Sequence, residues 1–79
     1  MKEISPNIVI DPLVRFGKPI IKGTRITVEE ALGFLRSGMT YDEIYQEYEL
    51  TPEQLRCVID YAAAFVAGEN VQQFRTMEA

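Results

Sequence analysis

Three threonines, at positions 27, 40 and 51, each stand directly before a run of residues whose apolar side chains have helical spacing. Thr27 and Thr40 are each followed three residues later by a glutamate, the pattern of a capping box, and Pro52 suits the first position of a helix. These signals predict three consecutive helices with very short joins in a chain of 79 residues. A chain of this length encloses only one small core.

Each predicted helix carries one apolar stripe that can face this core. Gly38 and Gly68 predict where the first and third helices end, because glycine is common just beyond the end of a helix. The second stripe is rich in tyrosine, and we expect these tyrosines to be core residues. The stripes are Val28, Ala31, Leu32 and Leu35 in the first helix, Tyr41, Ile44, Tyr45 and Tyr48 in the second, and Leu55, Val58, Ile59, Ala62 and Val66 in the third.

Before Thr27 the sequence has the pattern of short strands. Residues 8–10 and 20–21 are β-branched runs, and the prolines and glycines between them indicate tight turns. We expect a short β-hairpin-like segment over residues 1–26, followed by the three helices over residues 27–68. The predicted fold is therefore mainly α, with one domain over residues 1–68. Residues 69–79 form a C-terminal tail, either a marginal helix or a frayed end.

The chain contains no histidine and one cysteine. These counts exclude a Ser/His/Asp triad, a Cys/His dyad, an intrachain disulfide and a Cys/His zinc site within a single chain. The paired acidic residues are placed on predicted exposed helix faces, where carboxylates are more often solvated than bound to metal. We therefore expect no enzyme activity, no cofactor and no metal site.

The net charge of −4 conceals an uneven distribution along the chain. Residues 1–28 hold five basic and two acidic residues, whereas residues 29–79 hold three basic and ten acidic residues. A solvated surface is the plainest interpretation of the basic stretch. Its alternative is contact with phosphates or with an acidic protein, and the candidate phosphate-binding residues are Arg15, Lys18, Lys22 and Arg25.

The third predicted helix is more apolar than one core contact requires. Between Cys57 and Ala67 the only charged residue is Asp60, so a second apolar face is left over. We expect this face to pack on a second copy of the chain, although the N-terminal segment is an alternative cover for it. The predicted dimer interface consists of Tyr61, Ala64 and Phe65.

The second and third predicted helices have the layout of a helix-turn-helix. In proteins of that class, the beginning of the second helix of the pair enters the major groove of DNA. Here the residues in that position are Thr51, Gln54 and Arg56, which we predict to lie near the bases. A generic helical hairpin that binds no DNA explains the same apolar periodicity.

The stretch from Gly17 to Val28, GKPIIKGTRITV, resembles the signature of the prokaryotic domain-of-unknown-function 433 family. The likeness extends over roughly residues 4 to 66 and includes Ile10-Asp11-Pro12, Gly38 and Thr40. Phe16 stands where the family often has glycine. The resemblance implies a homeodomain-like three-helix fold and a VapB-like antitoxin component of a toxin–antitoxin system.

The resemblance further implies the partners of the chain. Members of the family are regarded as proteins that neutralise a small PIN-like ribonuclease, form dimers and bind their own operator DNA. A stand-alone helix-turn-helix regulator is one alternative. Another is a protein-only adaptor whose basic segment meets the acidic metal site of the ribonuclease. No apolar run reaches the ~18 residues of a membrane span and no secretory signal is visible, so we expect a cytoplasmic protein without a membrane partner.

Overall fold

Short strands precede longer helices in the computed structural model, which describes the backbone of residues 1–78 and the side chains of residues 1–68. The strands are β1 (Lys2–Ser5), β2 (Ile8–Ile10) and β3 (Ile20–Ile21). The helices are α1 (Val28–Arg36), α2 (Tyr41–Tyr48) and α3 (Pro52–Glu78). Within the described residues the three predicted helices are therefore confirmed, while their assignment to a homeodomain-like arrangement stays a prediction.

The N-terminal strands form one antiparallel sheet in the order β1, β2, β3. Lys2 pairs with Ile10, and Ile8 pairs with Ile21. The segment is therefore a three-stranded meander, with one strand more than the predicted hairpin. The additional strand is β1, which sequence alone does not reveal because its residues, KEIS, include only one β-branched aliphatic side chain.

All three helices begin at the predicted threonines, and each threonine side chain closes a reciprocal cap. The Thr27 hydroxyl accepts a hydrogen bond from the Glu30 N–H at 3.0 Å, while the Thr27 N–H donates to the Glu30 carboxylate at 3.0 Å. Thr40 and Glu43 repeat this geometry. These caps satisfy backbone donors that a helix leaves unpaired in its first turn, which explains why local sequence alone locates the helix starts.

The core lies where the sheet meets the three helices. Ile44, Leu50 and Leu55 are fully buried there, and the complete cluster of buried residues is Ile8, Ile21, Val28, Ala31, Ile44, Leu50, Leu55 and Val58. The prediction that the tyrosines of α2 are core residues is wrong. Tyr41, Tyr45 and Tyr48 are exposed, because a helix of eight residues turns only its Ile44 side chain fully into the core.

The prediction that α3 ends at Gly68 is also wrong, because α3 continues through Gly68 to Glu78. A single glycine inside a helix costs only about 1 kcal/mol relative to alanine and does not by itself break the helix. The side chains of the predicted tail, residues 69–79, lie outside the described residues.

Within the described part of the chain, no helix is both long enough and apolar enough to cross a bilayer.

Candidate interaction surfaces

The basic segment is anchored to α1 by Arg15. Its guanidinium donates to both carboxylate oxygens of Glu30, with Nη1–Oε1 at 2.8 Å and Nη2–Oε2 at 3.2 Å. Nη1 also donates to the backbone carbonyl of Arg25 at 2.8 Å. These hydrogen bonds from Arg15, followed by the backbone N–H of Thr27, lower the pKa of Glu30 to about 2. Arg15 therefore serves first to hold two segments of the chain together.

Two further basic side chains of this segment have acidic partners within the chain. The Nζ atom of Lys18 lies 3.5 Å from Glu29, and that of Lys22 lies 3.4 Å from Glu3. Exposed pairs of this kind are weak, typically about 0–1 kcal/mol, so both lysines can exchange their partner for an external anion. Arg25 is exposed and has no ion pair among the described residues. It is thus the candidate cation that is best placed to meet another molecule.

Residues 11–17 form a tightly hydrogen-bonded loop, which we call the Phe16 loop. Arg15, Phe16 and Gly17 all have left-handed backbone conformations, with φ of 50°, 60° and 76°. Asp11 closes the loop entrance by accepting hydrogen bonds from the Leu13 N–H at its side chain and from the Val14 N–H at its carbonyl. The structure thus imposes the least common allowed backbone region on a bulky aromatic residue.

The Phe16 loop displays two large apolar side chains to solvent. Leu13 is 93% exposed and Phe16 is 97% exposed, more than any other large hydrophobic residue described. Both are candidate functional residues that the sequence patterns do not single out. The signal for them was the aromatic residue beside Gly17, at a position where the family pattern often has glycine.

A groove of about 740 Å³ lies between α1 and the part of α3 that follows the core contacts. We call it the α1–α3 groove. Two of the predicted dimer residues, Tyr61 and Phe65, lie in its wall, and the third, Ala64, is exposed elsewhere on α3. The remaining lining residues are Lys18, Pro19, Thr27, Val28, Glu29, Leu32, Gly33, Arg36, Ala62 and Val66. The floor is therefore mostly apolar, with Glu29, Lys18 and Arg36 as charged residues of the groove.

The beginning of α3 holds the residues that we predict to lie near DNA bases. Two of them build the helix cap: the Thr51 hydroxyl accepts from the Gln54 N–H at 3.2 Å, and the Gln54 side-chain oxygen accepts from the Thr51 N–H at 2.8 Å. Arg56 is exposed one turn further on. Of the three, Arg56 is therefore the side chain with no role in this cap.

The described residues contain no group of three or more acidic or cysteine side chains in a metal-binding arrangement. The cysteine, Cys57, is half-buried and accepts a hydrogen bond from the Asn7 side-chain amide at 3.4 Å. This contact joins α3 to the turn between β1 and β2, which is a structural use of the residue.

The three-stranded sheet and the three helices define a small α-rich module, and residues 8–62 match the family described as "Protein of unknown function (DUF433)". The chain belongs to this family. The resemblance drawn from the GKPIIKGTRI string is thereby confirmed.

Two matches, one to a curated protein and one to a solved structure, both from Mycobacterium tuberculosis, measure this similarity. The curated protein named "Putative antitoxin VapB45", of strain ATCC 25618 / H37Rv, is 40% identical over 58 residues, which are 73% of this chain and 24% of that protein. A crystal structure titled as that of Rv2018 has 38% sequence identity and a TM-score of 0.60, covering 67% of this chain and 25% of that one. The chain thus spans about a quarter of the length of the relatives it matches.

Proposed function

We propose that this chain is a non-enzymatic, antitoxin-like module that binds and neutralises a small toxin protein, a ribonuclease of PIN-like fold. The observation that carries the proposal is the 40% identity over 58 residues with a protein named as an antitoxin. Since this chain matches only a quarter of that protein, the toxin, its type and the mode of neutralisation are part of the proposal.

The charges of the N-terminal region support a protein partner over a nucleic acid as the main ligand. Arg15, Lys18 and Lys22 each lie within 4 Å of a carboxylate of this chain, which reduces the positive field that they present to a phosphate backbone. The overall charge of −4 adds a general repulsion of DNA. An exposed apolar loop beside an exposed arginine is, by contrast, typical of protein-binding surfaces.

Arg25 is the residue that we propose to enter the toxin's active site. A PIN-like ribonuclease has an acidic metal site, and a guanidinium binds carboxylates in a two-pronged geometry that competes with metal ions for the same oxygens. The Arg25 backbone is already fixed by the hydrogen bond that its carbonyl accepts from Arg15. The side chain is therefore presented from a rigid position.

The proposal is tested by expressing the native locus intact with a tag on this chain only. We expect a small ribonuclease-like protein, encoded next to this chain, to co-purify in near-stoichiometric amount and to gain activity when the chain is removed. A clean homodimer without any partner would contradict the proposal and favour a stand-alone regulator.

The role of Arg25 is tested separately on the purified pair. We expect Arg25→Glu to lower inhibition of the ribonuclease by at least about tenfold, because a carboxylate would face carboxylates. Lys2→Glu is the matched control, since it makes the same charge change at another exposed site of the N-terminal region. Intact inhibition by the Arg25 variant would show that the contact lies elsewhere, in the apolar surfaces of the chain.

Operator binding is the second candidate function, and the short α2–α3 connection with exposed Arg56 at the start of α3 favours it. The proposed phosphate contacts are Arg15, Lys18, Lys22 and Arg25, and the proposed base contacts are Thr51, Gln54 and Arg56. We expect Lys22→Ala or Arg25→Ala to weaken binding to the chain's own upstream DNA and to reduce the salt slope by about one per lost contact. An unchanged slope would remove that residue from the DNA footprint.

A further inference from the structure

We propose that the Phe16 loop of one copy inserts into the α1–α3 groove of a second copy, and that the second copy returns the same contact. The result is a two-fold dimer in which each chain supplies one convex and one concave apolar element. This inference goes beyond the antitoxin proposal, because it concerns the isolated chain before any toxin is bound.

Phe16 is both strained and unburied in the isolated chain. Its φ of 60° lies in the left-handed region, where glycine is unstrained and a bulky residue is strained. Its side chain is 97% exposed, so the isolated chain recovers nothing from burying the ring. The ring gains a favourable interaction only if another molecule covers it.

The Phe16 ring is displayed on a loop that hydrogen bonds hold in place. The loop is closed at its entrance by Asp11, and the Arg15 guanidinium bonds it to Glu30 and to the Arg25 carbonyl. The Lys18 N–H also donates to the Arg15 carbonyl at 3.2 Å. A side chain that is already held in place loses less conformational entropy on binding than one on a mobile loop.

The α1–α3 groove suits the loop in size and in apolar character. Leu32, Tyr61 and Phe65 contribute to an apolar wall, and Phe65 is 58% exposed in the isolated chain. The volume of about 740 Å³ is several times the ~150 Å³ of an engineered apolar cavity that binds benzene. The groove therefore has room for Phe16 together with Leu13 of another copy.

The Phe16 loop lies next to the groove of its own chain. Lys18 and Pro19, which follow Phe16 by two and three residues, line the groove. Arg15 is hydrogen-bonded to Glu30, the neighbour in sequence of the groove residue Glu29. The loop and the groove therefore adjoin at the start of α1. A two-fold interface requires that each copy gives and receives the same contact through one continuous patch, and this arrangement meets that requirement.

Charge complementarity supports a second copy as the occupant. Glu29 lies in the groove with its side chain 82% exposed, and among the described side chains its ion pair is with Lys18 at 3.5 Å. Arg25 adjoins the loop through its carbonyl and has no acidic partner among the described side chains. Insertion of the loop brings the Arg25 of one copy towards the Glu29 of the other.

The test measures self-association of the purified chain by sedimentation equilibrium. We expect a dimer for the wild type and a dissociation constant at least about 100-fold higher for Phe16→Gly, because two rings lose their burial and each 1.4 kcal/mol is a factor of ten. Phe16→Asn, whose side chain tolerates the left-handed region, serves as the second variant and is expected to behave in the same way. Tyr45→Ala, which removes an exposed aromatic ring that belongs neither to the loop nor to the groove lining, should leave the dimer intact.

A mixing experiment distinguishes loop insertion from simple helix pairing. Phe65→Glu damages the groove and keeps the loop, whereas Phe16→Gly removes the ring of the loop and keeps the groove. We expect each variant to be monomeric alone. We expect a mixture of the two to form a heterodimer through the one contact that remains intact. Dimerisation of Phe16→Gly with wild-type affinity, or absence of a heterodimer in the mixture, would overturn the proposal.

The same variants separate this inference from the antitoxin proposal. Suppose that the wild-type chain is monomeric alone and that Phe16→Gly abolishes its binding to the toxin. The toxin is then the molecule that covers the Phe16 loop, and the second-copy proposal is overturned. Failure to capture any toxin, with dimer loss as expected, would overturn the antitoxin proposal alone.

Discussion

Glu30 performs two tasks with one carboxylate. It closes the capping box of α1 by accepting from the Thr27 N–H, and it fixes the Phe16 loop by accepting from both guanidinium nitrogens of Arg15. The capping task was readable from the Thr27 and Glu30 spacing, but the pairing with Arg15 was not, because the two residues are 15 positions apart and meet only in the folded chain.

The low pKa of Glu30 predicts a pH-dependent contribution to stability. Its ordinary pKa of 4.5 falls to about 2 in the folded chain, first because of the hydrogen bonds from Arg15. The stabilisation is therefore complete above about pH 5 and is lost as the pH falls through 4.5 towards 2. Since the pair is partly exposed, we expect Glu30→Gln to lower the free energy of unfolding by only about 1 kcal/mol at pH 7.

Urea denaturation at pH 7 and at pH 3 measures this effect. The difference between wild type and Glu30→Gln should shrink at the lower pH, because at pH 3 the unfolded wild-type chain binds a proton at Glu30 that folding must release. Glu47→Gln, on the exposed face of α2, is the control and should differ little from wild type at either pH. An equal difference at both pH values would mean that charge is not the source of the contribution.

At the scale of the helices, Gly38 and Gly68 differ in backbone conformation. Gly38 follows α1 with φ of 92°, a conformation that side chains rarely adopt. Gly68 lies inside α3, outside the left-handed region, and a Cβ added there would meet no atom within 4 Å. Sequence alone predicts a helix end at both, because a glycine beside a helical run does not reveal whether the next turn continues.

The two glycines predict opposite effects of the same substitution. We expect Gly68→Ala to stabilise α3 by up to about 1 kcal/mol and to raise the helical signal at 222 nm in circular dichroism. Gly38→Ala should destabilise the chain by a similar or larger amount, because alanine is strained at positive φ. A loss of helical signal in Gly68→Ala would show that α3 ends at this residue in solution.

At the scale of the whole molecule, the tertiary fold redistributes the charges of the N-terminal region. The sequence presents Arg15, Lys18, Lys22 and Arg25 as one basic stretch, which led to a prediction of phosphate contacts. In the folded chain the first three pair with Glu30, Glu29 and Glu3, and these partners come from two different elements. The surface that remains offers one arginine beside two apolar side chains, a combination better suited to a protein than to DNA.

Local chemistry by itself determined the helix starts, the positions of two strands and the family. A threonine hydroxyl, a glutamate three residues later and a proline at the first helical position act within one turn, so neighbouring residues suffice to predict them. The GKPIIKGTRI string is likewise contiguous.

Only the tertiary structure decided which basic side chains form ion pairs and that the α2 tyrosines are exposed. It also decided that Phe16 is displayed on a left-handed turn and that α1 and α3 enclose a groove. Each of these depends on where residues far apart in sequence come to lie. A periodic pattern shows which side of a helix is apolar, but the amount of that side that becomes covered is set by the neighbours that pack against it.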